Sequence, residues 1–169
     1  INYYQNVSEL YGCVNDANSF ASILESNGDG SPNFGIKLLT SPGALLTRAK
    51  LREAIEQLFA GDSDMALLYF SGHGYIKSTG GYLVTTDAQK YDEGVSMDDL
   101  LSIANQSKAK NKFVILDCCH SGAFASPSIT GSSAAFLSEG MSVLTASRDT
   151  EYAIEKNGAG VFTSLLIDA

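Results

Sequence analysis

The stretch from Phe113 to Gly122 constrains the fold most strongly. It reads Phe-Val-Ile-Leu-Asp-Cys-Cys-His-Ser-Gly, an apolar and β-branched run that ends abruptly in polar and sulfur-bearing residues. Such a run predicts a strand of a parallel sheet, because strands of that kind are buried on both faces. Its carboxyl end is where α/β folds place their ligand sites. The stretch therefore predicts an α/β fold with reactive side chains at one edge of the sheet.

A second apolar run, Met65–Phe70, ends in Ser-Gly-His-Gly and predicts a neighbouring strand. Its histidine, His73, lies between two glycines, which suits an imidazole that must stand clear of the backbone at a strand tip. A cysteine becomes a good nucleophile when a nearby histidine favours its thiolate form. His73 and Cys119, which are 46 positions apart, therefore form a candidate catalytic dyad.

Four ordered blocks carry a family resemblance. Tyr69–Gly74 and Leu116–Gly122 resemble the two signature blocks of the caspase-like cysteine peptidases, specifically of the metacaspase and orthocaspase branch. Tyr11–Ala17 and Ser147–Ala153 are similar to two further blocks of that branch. The separation of 46 positions is also close to the roughly 50 typical of caspases. The resemblance spans nearly the whole chain and implies a cysteine endopeptidase.

Catalytic roles follow from this resemblance. The family pattern Asp-x-Cys-His-Ser-Gly selects Cys119 as the nucleophile, with His73 as general base and later as general acid. Resemblance and geometry both nominate the backbone N–H groups of Gly74 and Cys119 as the oxyanion donors. We expect Cys118 to face into the sheet, because successive strand residues point to opposite faces.

The resemblance also implies a substrate pocket. In the metacaspase branch the pocket for the residue before the scissile bond is acidic and binds Arg or Lys. The matching positions in this chain are Cys13, Asp16, Ser71 and Asp117. Two carboxylates in one pocket repel each other, and a guanidinium or ammonium group relieves that repulsion. The expected substrate is therefore a peptide or protein with a basic residue before the scissile bond.

Several alternatives stay open at this point. His73 could be a structural turn residue, and Asp16 could be an ordinary acid in the first turn of a helix. A metal or redox site at Cys118–His120 lacks ligand-spaced pairs, and Asp87, Asp98 and Asp99 form no calcium-binding loop of the EF-hand type, so no cofactor or metal is expected. A catalytically idle caspase-like scaffold or sensor would keep the fold. A legumain-type or gingipain-type relative would keep the dyad without needing Asp16.

Composition narrows the class of protein further. The chain has 169 residues, of which 44% are hydrophobic and 18% are charged, which predicts one globular caspase-like domain over residues 1–169. A net charge of −8 argues against binding nucleic acid or an anionic membrane and is compatible with basic peptides. The cysteine count is odd and includes an adjacent pair, which predicts a reducing compartment and therefore a cytoplasmic location.

The two ends of the chain and residues 113–147 bear on how the protein would be regulated. The chain begins at Ile1 and ends on an apolar run, so we expect a fragment of a longer protein, with a regulatory domain or activator outside it. No apolar run reaches the roughly 18 residues of a membrane span. Residues 113–147 contain neither Lys nor Arg. Self-cleavage there by a basic-specific peptidase is disfavoured, which predicts a single-chain enzyme.

Periodicity and turn residues predict a three-layer α/β/α sandwich with a mainly parallel central sheet. Ser96–Asp99 resembles a capping box and predicts the start of a helix. Besides the two strands above, the predicted elements are a helix over Val14–Ser26, a strand over Gly35–Leu39, a helix over Arg48–Ala60, a hairpin or flap over Tyr75–Thr86, a mobile loop over 121–140, a strand over Met141–Ala146 and a helix over Val161–Ala169.

Overall fold

Helices and runs of strands follow one another along the described chain, without the strict alternation that the periodicity predicts. The structure is a computed structural model, and it describes residues 1–118, 138–146, 155–156 and 159–169. In chain order the elements are α1 (Cys13–Glu25), α2 (Arg48–Phe59), β1 (Met65–Ser71), β2 (Gly74–Lys77), β3 (Gly80–Gln89), β4 (Asp92–Ser96), α3 (Met97–Gln106), β5 (Asn111–Asp117), β6 (Met141–Thr145), β7 (Glu155–Lys156), β8 (Ala159–Gly160) and α4 (Val161–Asp168).

The central sheet has the strand order β1-β5-β6 and is parallel throughout. Its middle strand is β5, in which Val114 and Leu116 are fully buried on one face and Ile115, on the other face, is 7% exposed. Burial on both sides explains why this strand reads as a continuous apolar run. The register pairs Ser71 of β1 with Asp117 of β5, so the two strands end together. The predicted α/β fold with a parallel sheet is confirmed.

The helices cover the sheet in two pairs. Helix α1 contacts α4 and β1, whereas α2 contacts α3 and β1. Both α2 and α3 begin at a hydroxyl cap: Thr47 accepts a hydrogen bond from the backbone N–H of Lys50, and Ser96 accepts one from Asp99. Such caps satisfy backbone donors that the first turn leaves unpaired. The helix predicted from the Ser96–Asp99 pattern is confirmed.

A second sheet lies beside the first. Strands β2, β3 and β4 are antiparallel in that order, and β2 and β3 form the predicted hairpin. Gly94 of β4 has a φ of 139°, a backbone conformation that disfavours any side chain. A Cβ there would lie 2.1 Å from the carbonyl oxygen of Leu83, so glycine also allows β4 to approach β3 closely.

The strand predicted over Gly35–Leu39 is wrong. This segment has no regular secondary structure, and Ile36, Leu38 and Leu39 are each about two-fifths exposed. It lines an apolar groove together with β1, α1 and α2, and β1 is an edge of the described sheet. An extended segment becomes a strand only when a neighbour pairs with its backbone, and the described residues provide no such ladder here.

Two further expectations concern the loop predicted over 121–140 and the presence of a membrane-spanning helix. The loop predicted over 121–140 falls largely on residues 119–137, which lie outside the described residues. Within the described ranges, every helix is too short or too polar to cross a bilayer.

Candidate active site

The ends of β1 and β5 form the edge where the sequence places its reactive residues. Beyond the Ser71–Asp117 pair, the backbone N–H of Gly72 donates to the carbonyl oxygen of Asp117 at 3.3 Å. A Cβ on Gly72 would lie 2.7 Å from the hydroxyl oxygen of Tyr4. Glycine at this position therefore lets the N-terminal segment, residues 1–12, come close to the strand tip.

His73 follows at the strand tip, and its side chain is held by the N-terminal segment. Nε2 of its ring lies 2.8 Å from the carbonyl oxygen of Ser8. A carbonyl oxygen can only accept, so Nε2 must carry the proton and donate it. In the neutral ring Nδ1 then has the lone pair. The contact with Ser8 thus fixes the tautomer in which Nδ1 can act as a base.

Tyr4 holds the backbone of the same histidine. The N–H of His73 donates to the Tyr4 hydroxyl at 2.8 Å, and the two ring centroids are 4.9 Å apart. Only 3% of Tyr4 is exposed. Burial raises the pKa of Tyr4 far above its ordinary value of 10.0, so the phenol keeps its proton. Tyr4 therefore packs against the imidazole as a neutral side chain.

The N-terminal segment is itself anchored to β3. The backbone N–H of Gln5 donates to the carbonyl oxygen of Thr86 at 2.9 Å. The side-chain amide of Asn6 donates to the carbonyl oxygen of Ala88 at 3.1 Å. These bonds anchor the segment between its two contacts with His73, at Tyr4 and Ser8, so the segment that holds the imidazole is itself fixed.

The two acidic positions, Asp16 and Asp117, come together although they are far apart in sequence. Both are buried, with 3% and 5% of their surface exposed. A Cβ placed on Gly160 would lie 2.9 Å from Oδ2 of Asp16 and 2.6 Å from Oδ2 of Asp117. Both carboxylates therefore border the same small volume beside the backbone of Gly160.

Uncharged donors from the C-terminal part of the chain contact both carboxylates. The backbone N–H of Gly160 is shared between the two oxygens of Asp16, at 3.0 Å from each. The Thr163 hydroxyl donates to Oδ2 of Asp117 at 2.6 Å. The Tyr69 hydroxyl lies 2.6 Å from that of Thr163, and since the Thr163 proton is directed at Asp117, Tyr69 is the donor. A short chain of hydrogen bonds therefore runs from Tyr69 to Asp117.

The pKa of Tyr69 depends on the negative charge of this region. Burial raises its pKa above the ordinary value of 10.0, and the nearby carboxylates of Asp117 and Asp16 raise it further. Its ring packs on Phe20 of α1, with centroids 4.7 Å apart. Tyr69 thus stays protonated and able to donate.

The remaining predicted site residues lie at the same edge or outside the described residues. Cys13 and Ser71 are buried, at the start of α1 and the end of β1. Gly74 is the first residue of β2, directly after His73, and is also buried. Cys118 is fully buried, as expected for a side chain that faces into the sheet. Cys119, the predicted nucleophile, lies outside the described residues.

The residues that the sequence reasoning missed are the ones that hold the predicted site residues: Tyr4, Ser8, Tyr69, Gly160 and Thr163. Ser8 acts through its carbonyl group, which no side-chain pattern can reveal. Thr163 is followed directly by a second hydroxyl residue, Ser164, so the sequence alone did not single it out. Among the described residues, no group of three or more His, Cys, Asp or Glu side chains is placed to hold a metal ion.

Comparisons with known proteins identify the family of this chain. A search of curated proteins found no match. The family model of the caspase domain matches residues 1–169, the whole of the chain. Membership in that family implies cysteine peptidase chemistry on protein substrates. The chain belongs to the caspase domain family.

Proposed function

We propose that this protein is a cysteine endopeptidase of the metacaspase or orthocaspase branch that cleaves after Arg or Lys. The observation that carries this proposal is the convergence of Asp16 and Asp117, both buried, on one small volume. Asp117 is the last residue of β5 and pairs with the last residue of β1, the strand that leads to His73, whereas Asp16 lies in the first turn of α1. A buried acidic pair at this place favours a cationic side chain of the substrate.

The preference for a basic residue has an electrostatic reason. Two carboxylates that share a pocket repel each other, and burial strengthens the repulsion because water screens it less. A guanidinium group relieves it and can bond to both carboxylates through its fork of N–H donors. An Asp side chain in the same pocket would add a third negative charge, so cleavage after Asp is disfavoured.

The dyad is proposed to consist of His73 and Cys119. The parallel register pairs Ser71 with Asp117. His73 and Cys119 each follow the paired residues by two positions in sequence, which favours an approach of the two side chains. The contact of Nε2 with Ser8 leaves Nδ1 as the atom that accepts the thiol proton.

The proposed reaction proceeds in two steps. The Cys119 thiolate attacks the scissile carbonyl carbon, and the backbone N–H groups of Gly74 and Cys119 stabilise the oxyanion. The C–N bond then breaks, and the imidazolium of His73 gives its proton to the leaving amine. Water, deprotonated by the same imidazole, hydrolyses the thioester and releases the acid product.

The experiment that tests this function is cleavage of fluorogenic peptides that differ only in the residue before the scissile bond. The panel contains Arg, Lys, Asp and Asn, and it is assayed with the unaltered protein and with Cys119→Ala, with and without calcium. We expect cleavage after Arg and Lys that is lost in Cys119→Ala. Cleavage after Asp or Asn alone would refute the acidic pocket.

Thiol alkylation separates the peptidase from the idle scaffold. Cys13 and Cys118 are buried, so an activated Cys119 should react first with iodoacetamide in the native protein. Peptide mapping by mass spectrometry identifies the alkylated cysteine. Slow and unselective labelling, together with no cleavage of any peptide, would support an idle scaffold.

A further inference from the structure

The acidic pocket is bordered by a short segment, Gly160–Thr163, that runs from the last residue of β8 into the first turn of α4. This segment approaches both carboxylates from one side, through the backbone of Gly160 and the hydroxyl of Thr163. Thr163 is 1% exposed, so its hydroxyl is directed inward. Neither Gly160 nor Thr163 belongs to the four blocks that carried the family resemblance.

The donors from this segment are uncharged, and this has an electrostatic consequence. A lysine or arginine in the same place would orient the carboxylates but would also cancel their charge. An N–H or O–H donor orients a carboxylate and stabilises its ionised form while its net charge stays. The 2.6 Å distance from Thr163 to Asp117 is typical of a strong hydrogen bond to an ionised group.

The backbone of Gly160 has a different task. Its φ of −68° and ψ of 132° are open to any residue, so its conformation does not require glycine. What requires glycine is space, because a Cβ would lie 2.6 Å and 2.9 Å from the two carboxylate oxygens. A side chain there would push Asp16 and Asp117 apart and enter the volume that they share.

We propose that Gly160 and Thr163 are specificity-determining positioning residues, which hold Asp16 and Asp117 in place for a basic side chain of the substrate. Tyr69 supports Thr163 from behind by donating to its hydroxyl. This inference rests on the proposed cleavage after Arg or Lys. It adds that the selectivity for charge depends on donors from the C-terminal segment, which do not touch the scissile bond.

The test compares Thr163→Val with Thr163→Ser. Valine keeps the shape of the side chain and removes the hydroxyl, whereas serine keeps the hydroxyl and removes a methyl group. Two peptides are used, one with Arg and one with citrulline, its uncharged isostere, before the scissile bond. Ser22→Ala is the matched control, because the exposed Ser22 hydroxyl bonds the carbonyl oxygen of Asn18 within α1 and contacts neither Gly160 nor Thr163.

We expect Thr163→Val to lower kcat/KM for the Arg peptide by about 10- to 100-fold, the range for losing a hydrogen bond to a charged group. Most of the loss should appear in KM, and the citrulline peptide should change little. Thr163→Ser and Ser22→Ala should stay within about threefold of the unaltered protein. Valine matching the unaltered protein, or lowering both peptides equally, would overturn the inference.

A second variant keeps the proposal testable if Thr163→Val fails to fold. If Thr163→Val does not unfold cooperatively on heating, Tyr69→Phe replaces it, since it removes the hydroxyl that donates to Thr163 and keeps the ring. It should shift the same Arg-to-citrulline ratio in the same direction by a smaller factor. No preference for Arg over citrulline in the unaltered protein overturns both proposals. A normal preference that no variant changes overturns only the positioning role.

Discussion

The histidine and the acidic pocket lie at the same edge of the sheet but are held by opposite ends of the described chain. His73 is fixed by the N-terminal segment, through Tyr4 and the carbonyl group of Ser8. The carboxylates of Asp16 and Asp117 are contacted by the C-terminal segment, through Gly160 and Thr163. With the roles proposed above, the difference implies that activation of the thiol and selection of the substrate depend on separate supports. Mutations should therefore separate them.

The largest effect is expected for His73→Ala. Removing the general base should lower kcat/KM by about 10²- to 10⁴-fold for the Arg and the citrulline peptides alike. Cys119 should also be alkylated more slowly, because the thiolate loses its partner. Steady-state kinetics with both peptides measures this. A loss confined to the Arg peptide would place His73 in substrate binding and contradict its role as the base.

A smaller and more selective effect is expected for Gly160→Ala. Its methyl group would displace both carboxylates and should lower kcat/KM for the Arg peptide by on the order of a hundredfold. The rate of Cys119 alkylation should not change, because this variant does not touch His73. The matched control is Gly35→Ala, where a Cβ would meet nothing within 4 Å. Equal losses in cleavage and alkylation would show that the two supports are not separate.

Tyr4→Phe should affect the other support. It keeps the ring against the imidazole and leaves the backbone N–H of His73 without its acceptor. We expect kcat for both peptides to fall about tenfold at unchanged KM, the range for a buried donor left unsatisfied. Tyr3→Phe is the control, because Tyr3 is 39% exposed. A change in the Arg-to-citrulline ratio would argue against this division of roles.

The smallest effect concerns stability at high pH. Burial raises the pKa of Tyr4 and of Tyr69, so the unfolded chain loses these protons first as the pH rises above 10.0. Between the unfolded and folded pKa values the folded state binds more protons, and stability falls with rising pH. The free energy of unfolding in urea should therefore drop between about pH 9 and about pH 11. The drop should be smaller in Tyr69→Phe, and an equal drop would contradict this assignment.

The sequence predicted the elements that its own periodicity specifies. Strand β5 is an apolar run because both of its faces are buried, β1 is one because α1 and α2 pack against it, and the cap at Ser96 is a local pattern. The strand over Gly35–Leu39 failed because a strand depends on a partner, which a local pattern does not contain. The apolar alternation there corresponds to one wall of a groove.

The sequence suggested candidate site residues, but it did not suggest the residues that hold them, because those residues are identified only by tertiary contacts. His73 could be proposed from its place between two glycines at a strand tip, and Asp16 and Asp117 because they match the pocket positions that the family resemblance implies. Gly160 lies 144 positions from the aspartate that it contacts, and Thr163 lies 46 positions from its own. No periodicity links such pairs, so only the folded structure identifies the residues that hold the carboxylates.

The most direct test of separate supports measures Cys119 alkylation and Arg-peptide cleavage in Tyr4→Phe and Thr163→Val side by side. Alkylation reports the thiolate without a bound substrate, whereas cleavage reports both the thiolate and the pocket. We predict slower alkylation in Tyr4→Phe and an unchanged rate in Thr163→Val, with cleavage of the Arg peptide reduced in both. If Thr163→Val slows alkylation as much as Tyr4→Phe does, the two supports act as one and the account is wrong.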